Sequence, residues 1–88
     1  MLHLRLRLPG CATLKDKRHV MHGLNQKVRQ KYAVAVAEVG ELDHPAFSEI
    51  EIAGVANERA HLHRVLTAVS QMYESRPELD VIDIRMEV

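Results

Sequence analysis

Leucine takes every second position from Leu2 to Leu8, with His3, Arg5 and Arg7 in between. A strict period of two belongs to a β-strand with one buried face and one polar face. Such a strand needs neighbours along both edges and an apolar layer over its leucines. The same alternation returns at the far end, where Ile82, Ile84, Met86 and Val88 interleave with Asp83, Arg85 and Glu87. The intervening chain holds two stretches of helical period. Half-buried strands at both ends of a chain of 88 residues leave few folds open.

Pro9-Gly10 ends the first strand. Thr13 stands three residues before Asp16, the spacing of a capping box with aspartate in place of glutamate. A helix is predicted from about Leu14 to Lys31, with Leu14, Val20, Met21, Leu24 and Val28 on one face and Tyr32 at its exit. Gly23 falls on the opposite side. The β-branched, alanine-rich segment from Tyr32 to Val39 is predicted as the second strand, and Gly40 to Ser48 as a polar loop. Glu49 to Ala56 reads as the third strand, with Ile50 and Ile52 alternating with Glu49 and Glu51. Asn57 is predicted to cap a second helix, about Glu58 to Ser75, whose stripe includes Leu62, Leu66, Val69 and Tyr73. Arg76-Pro77 stops it, because the residue before proline avoids the helical region. Val81 to Val88 is the fourth strand. The order βαββαβ predicts one α+β domain spanning residues 1–88, a ferredoxin-like sandwich. Its four-stranded antiparallel sheet has the order 4-1-3-2 and carries both helices on one face.

Several classes are excluded by what is missing. A single cysteine allows no internal disulfide and no CxxC zinc site. No apolar run approaches the roughly 20 residues of a membrane span. The alternating start is unlike a signal peptide's continuous apolar segment. These features predict a cytoplasmic, reduced, soluble protein with no membrane partner.

The formal charge of zero conceals a division. Residues 1–31 hold eight cations against Asp16, a net +7, and residues 32–88 hold four arginines against eleven carboxylates, a net −7. Two outcomes are open: the halves neutralise each other in the fold, or one face stays basic and attracts an anion. On the open side of the sheet, His3, Arg5 and Arg7 are expected to face Glu49, Glu51, Asp83, Arg85 and Glu87, so cross-strand pairs should occupy the central arginines. The only aromatics are Tyr32, Phe47 and Tyr73, and none is expected among the central strands. That argues against an RNA-recognition sheet, which stacks bases on aromatics. Ala33, Ala35 and Ala37 form a smooth strip on the second strand, an edge suited to a homodimer or left for a loop to cover.

The segment from Pro9 to Arg18 places Lys15, Lys17 and Arg18 in the first turns of the first helix. The helix dipole disfavours cations there and favours an anion, so the pattern suits a phosphate or an acidic side chain. It also suits a solvated basic turn. Lys17 lies within the apolar arc, and its ammonium is expected to emerge at the helix start. The GxxxxGK[ST] spacing of a phosphate-binding loop is absent. His61 and His63 diverge on their helix, and His19 with His22 makes only two ligands, so no metal or other cofactor is predicted. Cys11 sits in a loop beside cations that would lower its pKa. No base stands at a suggestive spacing from it, and no catalytic residue is predicted. Glu38 is placed to pair with a cation of the first helix.

The strand ending in Pro9-Gly10, the Leu14-Lys15-Asp16-Lys17-Arg18 stretch, Ala37-Glu38-Val39 and Asn57-Glu58-Arg59 together resemble the YlxP-like family of small bacterial proteins. The resemblance spans the chain and implies a ferredoxin-like fold. Genes of that family often neighbour translation-initiation and ribosome-maturation genes, which implies a ribosome or RNA connection. It implies no catalytic residue. Gly54-Val55-Ala56 and the loop around His44-Pro45 depart from the family pattern.

The sequence-based expectation is therefore a non-enzymatic accessory protein. It would contact RNA or a ribonucleoprotein through Lys15, Lys17, Arg18, Lys27, Arg29 and Lys31. Phosphate contacts position without reading bases, so no DNA sequence readout is expected. A protein–protein interaction module and a small-ligand-binding dimer are the alternatives.

Overall fold

A computed structural model describes residues 1–88. The elements run β1 (Leu2–Arg7), α1 (Leu14–Tyr32), β2 (Ala35–Gly40), β3 (Phe47–Ala53), α2 (Arg59–Glu74) and β4 (Asp80–Met86). The sheet order is β2-β3-β1-β4, and every neighbouring pair is antiparallel. This is the predicted ferredoxin-like α+β architecture, with β1 and β3 central and β2 and β4 at the edges.

The alternation in β1 has the predicted consequence. Leu2, Leu4, Leu6 and Leu8 are fully buried beneath the helices, against Ile50 and Ile52 of β3 and Met21, Leu24, Val28, Leu66, Val69 and Tyr73 of the helices. Truncating one of these leucines to alanine costs about 2–5 kcal/mol, which a small core cannot easily lose. Tyr73 donates its hydroxyl to Asn25 Oδ1 at 2.6 Å, so both polar groups between the helices are satisfied. No helix is long and apolar enough to cross a membrane.

Thr13 Oγ1 accepts from Asp16 N at 3.1 Å, and Asp16 Oδ2 accepts from Thr13 N at 3.1 Å and Ala12 N at 3.2 Å. The predicted capping box is formed, and it sets the direction in which α1 leaves the Pro9-Gly10 turn.

The boundaries depart from expectation where turn geometry intervenes. Ala33 adopts φ 52° and caps α1 by donating its N–H to Arg29 O at 3.0 Å. It therefore lies outside β2, and the apolar strip on the open face reduces to Ala35, Ala37 and Val39 beside Ala53 of β3. Asn57 does not cap α2. Glu58 holds that position, with no hydrogen bond from its side chain. β3 begins two residues earlier than predicted, so Phe47 stands on the open face of a central strand, opposite Arg7 of β1. In β4 the register shifts opposite Arg5 and Leu6, so Val81 rather than Ile82 faces Leu6.

Candidate anion-binding cleft

Along α1 runs a cleft of about 520 Å³ whose rim carries Lys15, Arg18, His19 and His22 and whose floor includes Lys17, Glu38 and Ser48. The i, i+3, i+4 and i+7 spacing stacks the four rim residues on one face of the helix. All four are exposed. β2 and β3 supply the floor, because Glu38 and Ser48 point to the helix side of the sheet beneath the first turns of α1.

The floor is a closed polar cluster. Ser48 donates its hydroxyl to Glu38 Oε2, and Lys17 Nζ lies 3.1 Å from the same oxygen. Lys17 also donates to the carbonyls of Glu41 at 2.8 Å and Phe47 at 3.0 Å. Its ammonium is thus surrounded by one carboxylate and two carbonyl oxygens, and the residue is 2% exposed. The expected pairing of Glu38 with a cation of the first helix is present. The ammonium of Lys17 does not emerge at the helix start: it turns inward, because two carbonyls and a carboxylate there replace its water. Lys17 thus leaves the set of cations open to a phosphate.

The other five predicted cations divide by place. Lys15 and Arg18 stand on the rim of the cleft. Arg29 donates to Val36 O at 2.7 Å and to Gln26 Oε1 at 3.4 Å, which ties its guanidinium to β2. Lys31 lies over the ring of Tyr32, 5.5 Å from its centroid. Lys27 lines a neighbouring groove with Arg76 and Glu78, which shares His19 with the rim. His19, His22, Ser48 and Asn25 also line this cleft, beyond the cations expected there. The same-side spacing of the two histidines with Lys15 and Arg18 was the available signal.

The division of charge survives folding on α1 and disappears on the sheet. Arg5 approaches Glu41 Oε1 at 3.4 Å and Glu49 Oε1 at 3.8 Å, and Arg7 approaches Asp80 Oδ2 at 2.9 Å. His3 lies 3.5 Å from Glu49 and 3.6 Å from Glu51. Lys15, Arg18, Lys27, Arg29 and Lys31 make no ion pair with any carboxylate. Phe47 corrects the expectation of an open face without an aromatic near its centre. Its ring is already engaged, with the Arg5 guanidinium 5.3 Å from its centroid and His44 edge-on at 4.9 Å.

Cys11 borders a second hollow of about 650 Å³ that adjoins the first along Lys15 and His19 and is shared with Pro9, Asp16 and Pro77. Cys11 lies in the predicted loop between β1 and α1, and its thiol is turned into the core. Burial pushes its pKa up, the Asp16 carboxylate adds to that, and Lys17 only partly opposes it. This reverses the expected direction, since desolvation of the thiolate outweighs a nearby cation whose charge is already paired. No group of three His, Cys, Asp or Glu side chains is arranged to hold a metal ion.

A search of curated proteins gives no significant match. Residues 1–86 match the family described as "Protein of unknown function (DUF503)". That match takes in the capping box, the polar floor and every rim residue of the cleft, and the chain belongs to this family.

Proposed function

We propose that the protein is a non-catalytic accessory factor of the cytoplasm that binds RNA, bare or within a ribonucleoprotein, through the outer face of α1. The observation that carries this reading is the unpaired charge of the helix: its four exposed cations, Lys15, Arg18, Lys27 and Lys31, lack carboxylate partners, whereas the cations of β1 have theirs. Lys15 and Arg18 contact phosphates, and His19 and His22 extend the donor surface along the same stripe. Lys27 and Lys31 reach a phosphate on the neighbouring flank. The rigid floor beneath the rim supports the reading, because it holds the first turns of α1 in place without drawing on the rim cations. The buried hydroxyl of Ser48 and the buried thiol of Cys11 support a binding role over a nucleophilic one. The resemblance to the YlxP-like family, with its ribosome-associated gene neighbours, points the same way.

The test is the affinity for a structured ribosomal RNA fragment, read by fluorescence anisotropy across a salt series. Binding that falls steeply with salt is expected, since each phosphate contact releases counterions. Lys15→Glu with Arg18→Glu should reduce affinity more than about tenfold and flatten the salt slope by about 2. Melting should not fall, because neither side chain bonds to the fold and the helix dipole favours carboxylates at that end. Lys27→Glu with Lys31→Glu should have the smaller effect. Unchanged affinity in the rim variant, or binding insensitive to salt, overturns the reading. The latter result favours a small apolar ligand, and binding only to an acidic protein favours an interaction module.

A further inference from the structure

We propose that β4 is a self-pairing edge. Two copies of the chain join antiparallel about Ile84, making one continuous eight-stranded sheet.

The first observation is apolar exposure at an uncovered edge. Ile82 and Ile84 are 42% and 44% exposed, and Val88 beside them is 44% exposed. Ile84 pairs with Leu4, and Leu4 is fully buried on the helix side of the sheet. Ile84 therefore points to the same side but lies beyond the cover of α2. The alternation in β4 belongs to a half-buried strand whose apolar side lacks half its cover.

The second observation is the direction of the free backbone groups. Glu87 N donates to Met1 O at 2.8 Å, and the Met1 amino group donates back to Glu87 O. In an antiparallel ladder, residues that exchange both bonds with the neighbour alternate with residues that exchange none. Glu87, Arg85 and Asp83 thus turn their amides to β1, opposite Met1, His3 and Arg5. Met86 and Ile84 turn theirs outward, where a second strand can take them. A two-fold axis at Ile84 makes Ile84 exchange both bonds with its own copy.

The third observation is charge. Centring on Ile84 sets Asp83 of one chain opposite Arg85 of the other, twice, on the open side of the sheet. On the helix side it sets Ile84 against itself. Moving the axis by one residue, to Asp83, would place Asp83 against its own copy, and like charges directly opposite destabilise a pair. Arg85 and Asp83 side chains are 71% and 52% exposed, with only each other as ion-pair partners at 3.6 Å, so both are available. Edge strands are usually protected by lysine or proline. β4 has neither from Asp80 to Met86. The irregularity opposite Arg5 and Leu6 limits the pairing to the segment after Ile82. The other edge, β2, offers the methyl groups of Ala35 and Ala37 with Val39, and its irregularity between Glu38 and Gly40 falls at Val39 itself.

The experiment is sedimentation equilibrium of the full chain up to about 100 µM, above the weak end expected for a small specific interface. The wild type should approach twice its 10.0 kDa mass. Arg85→Asp places carboxylates opposite Asp83 and should raise the dissociation constant more than about tenfold. Adding Asp83→Arg to that variant restores opposite charges across the axis and should recover most of the loss. Ile84→Lys should give a monomer with the circular dichroism of the wild type. A wild type that stays at the monomer mass overturns the proposal. So does a dimer indifferent to these changes but broken by Ala37→Arg, which would place the contact on β2. Failure of the charge swap to restore association overturns the register about Ile84.

Discussion

The ammonium of Lys17, 3.1 Å from Glu38 Oε2, joins the first turns of α1 to both strands of the β2–β3 hairpin. Its other two bonds go to the carbonyls of Glu41 and Phe47 at the ends of the connecting loop. Glu41 has φ 58°, a conformation that an L-residue adopts at an energetic cost. The lysine thus holds in place a turn that its own backbone does not favour.

Removing one partner from a buried pair leaves the other charge without compensation. Lys17→Met keeps the apolar stem, orphans Glu38 and frees two carbonyls. A stability loss of about 3 kcal/mol is expected, read by urea denaturation at neutral pH. Glu38→Gln keeps an acceptor for Ser48 and should cost less. Equal stability of Lys17→Met and wild type would show that the ammonium contributes nothing net.

The capping box titrates in acid. The Thr13 side chain, then the amides of Ala12 and Thr13, hold the Asp16 carboxyl below the usual carboxylate range. A lowered pKa in the fold means that the unfolded chain binds this proton more readily. The contribution is therefore complete above the ordinary aspartate value near 3.9 and is lost as pH falls through the lowered one. Asp16→Asn should remove this part of the acid dependence, seen as a difference from wild type that narrows below about pH 4. Thr13→Ala should cost about 1 kcal/mol at neutral pH. Parallel acid curves for Asp16→Asn and wild type would contradict the assignment.

Much of the fold is legible because burial imposes periods. The leucines of β1 and the stripes of α1 and α2 name their own faces, and Thr13 with Asp16 marks a helix start by local chemistry alone. The misread parts depend on partners distant in sequence. Lys17 reads as a cation with a buried stem, because its carbonyl acceptors lie 24 and 30 residues away across a loop of no fixed pattern. Cys11 is placed in its loop correctly, but its burial is not legible, since the packing over it comes from elsewhere in the chain. Phe47 reads as loop because the sequence does not show that β3 extends to pair with Arg7. The rim of the cleft was half legible: helical spacing groups Lys15, Arg18, His19 and His22, and only the fold brings a polar floor beneath them. The apolar side of β4 reads as buried, and no local pattern tells a strand that α2 covers from one that it leaves at an edge.

Tyr73 makes the alkaline limb of stability a test of the contact between the helices. Its hydroxyl is buried against Asn25, and burial pushes its pKa up, with the Arg29 guanidinium opposing. The neutral phenol is the form the fold accepts. In the unfolded chain tyrosine ionises near 10, so this contribution is intact below about pH 10 and falls as pH rises beyond it. Tyr73→Phe cannot ionise and should flatten that limb relative to wild type. At neutral pH the same variant should be less stable by about 1–2 kcal/mol, because Asn25 Oδ1 keeps its burial and loses its donor. Urea denaturation of both proteins at pH 8, 10 and 11 separates the two effects, since the two chains differ only at position 73. A variant weaker at pH 8 that converges with wild type at pH 11 is the expected pattern. Equal slopes above pH 10 would show that the hydroxyl exchanges with water and that the helices are not closed over it.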